Sequence, residues 1–323
     1  MQHTSILPPD QRIPVGISAC LMGQEVRYNG GHKRSRYCLQ VLSECFDFRP
    51  FCPELAVGLG VPREPIRLVG DPEAPRARGT ENPELDVTEA LAEKGRQVAS
   101  RMPDLCGYIL IKGSPSCGME RVKIYHENGI PNAAGRGIFA AELMKTNPLL
   151  PVEEEGRLHD AVLRENFITR VFALHRWKRE VEAEPSYHAL IQYHSRSKYL
   201  LMAHSYQGYR ELGRFLAQAH DLPLEEAMTT YISGFMSHMS RRAKRRNHVN
   251  VLMHVLGYLK KSIDGDCKRE LLEVIERYRR AEVNLVVPLT LLQHYLNRFG
   301  SDYIRSQSYL DPHPYQLGLR NDI

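Results

Sequence analysis

Three cysteines stand where segments that read as strands run out. Cys20 ends Pro14-Val15-Gly16-Ile17-Ser18-Ala19-Cys20, and Cys52 ends Phe48-Arg49-Pro50-Phe51-Cys52. Cys117 closes Gly113-Ser114-Pro115-Ser116-Cys117-Gly118, just past the apolar run Tyr108-Ile109-Leu110-Ile111. In an open α/β sheet, ligands bind at the carboxyl ends of the strands. Three soft thiolates meeting there would make a metal site with one coordination position open, as in a catalytic centre. Glu54 lies two residues past Cys52, and Ser114 and Ser116 precede Cys117. A carboxylate and a hydroxyl beside a soft metal can move protons or position water. The plainer reading is three unrelated buried cysteines, a solvated glutamate and turn-forming serines. There is no Cys-x-x-Cys pair, so a zinc finger has little support. The residues by themselves leave both readings open.

The other cysteines suggest less. Cys38 and Cys45 are seven apart on one expected helix and suit a core, as does Cys106 before its strand. Cys267 has no assigned role. Arg27, Arg63 and Arg67 sit in loop-rich stretches, where they would contact a phosphate or a pyrimidine edge, or simply face solvent.

These residues must be positioned by a scaffold. Strand signals at Ile13–Ala19, 48–52, 107–112 and 122–126 alternate with helical spacing at Arg36–Cys45, Asp86–Arg101 (N-cap Asp86) and Gly137–Lys145. Residues 53–85, rich in Pro and Gly, read mostly as loop. The pattern predicts an α/β domain with a mainly parallel sheet. Pro148, Pro151 and the acidic run Glu153-Glu154-Glu155 read as a linker. Helical spacing then dominates: 157–182, 187–204, 206–219, 224–239, 247–262, 268–283 and 288–298, an all-α domain with an irregular tail over 311–323.

Composition sets broad bounds. The chain has 323 residues, 42% hydrophobic and 25% charged, enough for two cores. Seven cysteines, an odd number spread over a long chain, argue against a disulfide framework. Met1-Gln2-His3-Thr4-Ser5 lacks the pattern of a signal peptide, and no apolar run approaches the roughly 20 residues of a membrane span. A cytoplasmic location is expected.

Most of the formal net charge of +5 falls after residue 150. Arg241-Arg242-Ala243-Lys244-Arg245-Arg246 leads into the expected helix Asn247–Lys261, and such a run suits phosphate contacts with nucleic acid. Arg196, Lys198 and Arg210 lie near Tyr193, Tyr199, Tyr206 and Tyr209, residues able to stack on unpaired bases. The alternative is a solvated helix face with tyrosines capping a core. His204, His220, His248, His254 and His294 lack ligand spacing and read as structural or surface residues.

Four segments then carry a resemblance. Ile17-Ser18-Ala19-Cys20-Leu21-Met22-Gly23, Val26-Arg27-Tyr28-Asn29-Gly30-Gly31, Phe51-Cys52-Pro53-Glu54 and Gly113-Ser114-Pro115-Ser116-Cys117-Gly118 resemble, in the same order, the thiouracil desulfidase family. The resemblance implies a [4Fe-4S] cluster held by Cys20, Cys52 and Cys117, with one open iron. It also implies catalytic roles for Glu54 and Ser114. The open iron would bind a thiocarbonyl sulfur, and Glu54 would handle water and proton transfer without net electron transfer. Later, His194–His204, His248–His254 and Val287–Leu292 resemble the YbgA-type helical domain. The combination resembles the tRNA 4-thiouridine desulfidases. It implies a desulfidase domain over 1–153, a helical domain over 154–323 that holds the tRNA, and conversion of 4-thiouridine to uridine; Arg241, Arg242, Lys244, Arg245 and Arg246 of the basic run are the expected RNA contacts. Two alternatives stand beside it: a desulfidase of free thiopyrimidine bases or nucleosides, and an RNA-binding protein with a structural or redox-sensing cluster. A structural cluster normally uses four cysteines, so Cys38 or Cys106 as a hidden fourth ligand is the main threat to the catalytic reading.

Overall fold

A computed structural model describes residues 6–323. Met1–Ser5, on which the expected lack of a signal peptide rests, lie outside the described residues. The chain divides into two compact units, Met1–His159 and Asp160–Ile323. None of the described helices is long and apolar enough to cross a membrane.

The first unit is built on a parallel sheet. β1 (Ile13–Ser18), β2 (Phe46–Phe51), β5 (Gly107–Leu110) and β8 (Val152–Glu154) lie in the order β2-β1-β5-β8, all parallel. Ile13, Val15 and Ile17 are fully or almost fully buried, which explains why β1 reads as a continuous apolar run. The chain leaves β1 toward β2 on one side and reaches β5 on the other. The carboxyl ends of β1 and β5 therefore flank the crevice where this class of sheet binds ligands.

The expected loop over 53–85 needs correction. It contains β3 (Ile66–Val69) and β4 (Arg76–Gly79), which join β6 (Val122–Tyr125) and β7 (Pro131–Gly135) in a second sheet of order β4-β3-β6-β7. β3 and β6 are parallel, and the two outer pairs are antiparallel. Short strands set among prolines give little periodicity to read, yet Ile66, Leu68 and Ala77 pack with Leu91, Val122 and Ile124 in one core. The expected helix Arg36–Cys45 is only α1 (Arg36–Gln40) followed by a 3-10 turn, Leu42–Glu44. After α2 (Pro53–Ala56), α3 (Thr88–Arg101) starts two residues later than expected. Asp86 does not cap it. Its carboxylate instead accepts from the Thr88 amide and pairs with Arg76 and Arg78. α4 (Ile138–Thr146) packs against α3.

Nor is the acidic run a linker. Glu153 and Glu154 are buried within β8. Glu154 Oε1 accepts from the Met119 amide (2.9 Å), Glu153 Oε1 from Arg157 Nε (2.6 Å) and Glu155 Oε1 from Ser35 Oγ (2.7 Å). These carboxylates anchor the chain just after Cys117 and the start of α1.

The second unit is helical, as expected. α5 (Ala161–Trp177), α6 (Tyr187–His204), α7 (Tyr206–Gln218), α8 (Leu224–Met239), α9 (Arg245–Leu259), α10 (Gly265–Arg279) and α11 (Val286–Phe299) are joined by short turns, with the single turn α12 (Asp302–Arg305) near the end. Asp160 caps α5 by accepting from the amides of Val162 and Leu163. Trp177, Tyr193, Tyr231 and Phe235 pack ring to ring in the core.

Candidate active site

Cys20 sits in the tight turn Ala19–Met22 directly after β1. Cys52 ends β2 as the N-cap of α2, with Pro53 at the first helical position. Cys117 lies in the loop after β5. That loop is held by amide bonds from Gly118 to Ser114 O (2.8 Å) and, from α4, from Ile138 to Pro115 O (3.0 Å) and Ala140 to Ser116 O (3.1 Å). All three cysteines line one cavity of about 220 Å³, with Ser18, Arg27, Tyr28, Glu54, Arg63, Lys112 and Ser114.

α4 approaches this loop where only glycine fits. A Cβ on Gly137 would stand 2.5 Å from the backbone C and O of Ser116. Gly137→Ala is expected to lower stability by about 1–3 kcal/mol and to shift the Cys117 loop, read as a lower midpoint in chemical denaturation. An unchanged midpoint would show that the contact relaxes freely.

Burial pushes the Cys20 thiol up to about 11, with the Cys52 sulfur adding to the rise. Burial also raises Cys52, and it raises Cys117 well above the usual thiol range, where Glu54 contributes further. Protons on such thiols are displaced when a metal binds. Cys38, Cys45 and Cys106 are buried in the core and do not line the cavity. Cys267 belongs to the other unit, where its amide donates to Asp264 at the start of α10.

Among the described residues no group of three or more His, Cys, Asp or Glu side chains is gathered as the shell of a single metal ion. The other soft-metal group that cysteines hold is an iron–sulfur cluster. The donor set fits such a cluster: three soft sulfurs from three strand ends around one cavity, and no fourth cysteine on its lining.

Glu54 is held from both sides. Its Oε2 accepts from Arg63 Nη2 (2.6 Å) and Nε (3.1 Å), and its Oε1 accepts from Ser116 Oγ (2.8 Å). Arg63 also donates to Val26 O (3.0 Å) and Gly60 O (2.7 Å). Its side chain is 5% exposed, so its donors serve the fold and not a substrate phosphate. Arg67 is not on the lining and lies over Tyr125 in the second sheet. Of that expected trio, Arg27 and Arg63 line the cavity, Arg63 bound to Glu54 and Arg27 over the ring of Tyr28. Ser114 Oγ accepts from the amides of Ser116 (3.2 Å) and Cys117 (3.1 Å), so its own hydrogen is free to point into the cavity. Arg63, Ser18 and Lys112 were not legible as a set from sequence. Ser116 was visible beside Cys117, but nothing in the sequence tied it to Glu54.

The basic run of the second unit starts as a pinned loop and continues into the first turn of α9. Asn166 Nδ2 donates to Met239 O (3.0 Å), and His204 Nδ1 donates to Arg241 O (2.7 Å). Arg241, Arg242, Lys244 and Arg246 are exposed. Arg245 differs from the expected nucleic-acid contact: its guanidinium stacks on Tyr278 at 4.4 Å and donates to Tyr278 O (2.7 Å). Tyr193 is not available for stacking on bases either, since it is buried and donates to Ala173 O. Tyr206 is exposed beside Tyr209, and Tyr199 donates to Tyr258 Oη. His248 is buried against Tyr309, and His254 packs near Tyr199.

Comparison with known proteins adds two matches by family model. The model described as 2-thiouracil desulfurase matches residues 15–155, and the one described as Protein of unknown function (DUF1722) matches residues 198–314. The chain is 36% identical over 155 residues to the uncharacterized protein YbgA of Escherichia coli (strain K12), covering 48% of this chain and 92% of that protein. It is 33% identical over 150 residues to the uncharacterized protein YbbK of Bacillus subtilis (strain 168), covering 45% of this chain and 97% of that one. A solved [4Fe-4S]-dependent thiouracil desulfidase, TudS, is 30% identical, with 46% of this chain and 94% of that chain covered at a TM-score of 0.37.

Proposed function

Since the chain belongs to the 2-thiouracil desulfurase family through its first unit and to the YbgA-type DUF1722 family through its second, we propose that it removes sulfur from 4-thiouridine in tRNA, leaving uridine. The observation that carries the chemistry is the meeting of Cys20, Cys52, Cys117 and the doubly held Glu54 on one cavity.

When bound by the three cysteines, a [4Fe-4S] cluster supplies a thiophilic Lewis acid for the substrate sulfur. The chain's own residues manage the water. Glu54 Oε2 is occupied by Arg63, while Oε1 accepts from Ser116 and keeps a second lone pair. Oε1 is therefore the atom that takes the proton of the water adding to the thiocarbonyl carbon, and that returns it as the C–S bond opens. Ser114 orients this water or the pyrimidine edge through its free hydrogen. Water supplies the new carbonyl oxygen, one of its protons leaves on the sulfur as hydrosulfide and the other is released to solvent, so charge and electrons balance without an oxidant or reductant.

The basic run supports an RNA substrate over a free base. Lys244 is the N-cap of α9, Arg245 and Arg246 lie in its first turn, and no acid accompanies them. Cations at a helix N-terminus oppose the helix dipole, and an anionic phosphate there offsets that repulsion. A free base has no phosphate to offer. The target base must be turned out of its stack to reach the cavity, where Arg27 and Lys112 on the lining suit the phosphates of its strand.

The test is nucleoside mass spectrometry of bulk tRNA after anaerobic incubation with the cluster-loaded protein. Loss of 4-thiouridine with an equal gain of uridine is expected. Turnover of free thiouracil or 4-thiouridine, with tRNA untouched, would instead assign the free-base reaction. Changing Arg241, Arg242, Lys244 and Arg246 together to Ala should weaken tRNA binding and flatten its salt dependence. The log–log slope is expected to fall by roughly 0.7–0.9 per lost phosphate contact. An unaltered slope would mean that the RNA docks elsewhere.

A further inference from the structure

The helix that carries the end of the basic run has a second feature on its outer face. From Arg245 to Lys261 the chain holds no Asp or Glu. Val251, Leu252, Val255, Leu256 and Leu259 of α9 are buried and fix the helix by its apolar stripe. Arg246, Met253, His254 and Tyr258 are exposed at the complementary spacing, and Lys261 is exposed just past the helix end. Residues three, four, seven and eight apart lie on one side of a helix, so these side chains share a face. Met253 and Tyr258 keep 44% and 43% of their surface exposed. Gly257 leaves open space between them, where a Cβ would meet nothing within 4 Å. From Arg246 to Lys261 the face runs about 22 Å.

Tyr258 is braced from behind. Its hydroxyl accepts from Tyr199 Oη (3.1 Å), and its ring centroid lies 5.8 Å from that of Tyr303, with the planes at 42°. Lys198 Nζ stands 5.1 Å from the ring centroids of both Tyr199 and Tyr303. Tyr199 is buried, and the exposed His254 lies beside it at 6.2 Å between centroids. Asp302, next to Tyr303 in sequence, pairs with Arg305 (2.6 Å), and Glu180 pairs with Arg196 of α6 (3.5 Å). Neither of these acids neutralises Lys198.

We propose, building on the RNA reading of the basic run, that this face binds an unpaired stretch of RNA, one base stacked on Tyr258 and the flanking phosphates toward Lys198 and Lys261. Charge and ring select this occupant together. Large apolar side chains exposed side by side mark a contact surface. Cations without a carboxylate among them along α9 favour a polyanion. A tyrosine already held at its hydroxyl and beside a second ring loses little freedom when a base settles on it. A paired stem keeps its base faces inside its own stack, so only unpaired nucleotides can use the ring.

The test is fluorescence anisotropy of the full chain with a labelled oligouridylate of about eight nucleotides, and with a duplex of the same length. Tyr258→Ala should weaken binding of the single strand about 5- to 100-fold, the range for removing a ring beneath a stacked base, and leave the duplex within about twofold. Its log–log salt slope should stay at the wild-type value, because no phosphate contact is lost. Tyr258→Phe removes only the bond to Tyr199 and should keep most of the affinity. The fluorescence of Tyr258→Trp should be quenched by the single strand, which decides the matter if Tyr258→Ala fails to fold by circular dichroism. Full affinity in folded Tyr258→Ala, with binding lost in the fourfold Ala variant of the basic run, overturns the stacking face and leaves the RNA reading standing. If the wild type binds neither strand nor duplex, both fall. A concentration-dependent dimer that is lost in Tyr258→Ala with RNA affinity intact would overturn the proposal by assigning the face to a second copy of this chain.

Discussion

Cys117→Ala is expected to abolish desulfidation and to leave a first unit that folds but cannot retain its cluster. Three strand ends each contribute one sulfur, and no other cysteine lines the cavity to replace the one removed. After anaerobic reconstitution the wild type should bind about four irons per chain with the broad visible absorption of a [4Fe-4S] centre. Cys117→Ala should fall well short of both, and Cys20→Ala and Cys52→Ala should follow it. Cys38→Ala and Cys106→Ala supply the contrast. Both residues are buried in the core, so their loss leaves small cavities and lowers stability modestly, with iron content unchanged. Normal iron content in Cys117→Ala, or its loss in Cys106→Ala, would reassign the ligands.

The second large effect concerns the carboxylate. Glu54→Gln keeps the shape of the side chain but removes its ability to take a proton. Turnover should drop by about 10²–10⁴-fold, with iron content and absorption unchanged. Arg63→Met acts one step removed, and Arg63 is a positioning residue. It leaves Glu54 without the charge and the two N–H groups that fix Oε2, so kcat should fall by about 10²-fold while KM changes little. Arg63→Lys restores the charge without the planar fork and should recover only part of the rate. If kcat is unchanged in Arg63→Met with the cluster in place, Glu54 does not need this support. If Glu54→Gln is fully active, the base lies elsewhere.

What the sequence revealed follows the length and regularity of each element. β1 and the long helices α6 and α8 have enough residues for their periodicity to outweigh chance, and they stand where expected. The second sheet does not show, because β3 and β4 have four residues each and the strand that joins their hairpin to the rest of the sheet, β6, lies far along the chain. The acidic run misleads for a related reason. Glu153 and Glu154 look solvated by type, but they are buried to bind backbone and Arg157. At the site, cysteines beside strand ends were legible from local order alone. The Glu54–Arg63 pair was not, since nothing in the eight intervening residues says which side chain the chain folds back to meet. Arg245 shows the same limit within one motif. It is a charge like its neighbours in sequence, but Tyr278 turns it inward.

The cavity's sulfurs come from widely separated parts of the chain, and that has a consequence during synthesis. A ribosome adding about 5–20 residues per second needs several seconds to pass from Cys20 to Cys117. Through that interval the first two thiols have emerged without their third partner and without β5, whose end helps enclose them. The newborn chain therefore passes through a window in which it can be oxidised or can capture the wrong metal. The window closes only once Cys117 and the loop after β5 are in place. The helical unit has a core of its own, so cluster delivery need not await it and can begin while the later helices are still being translated.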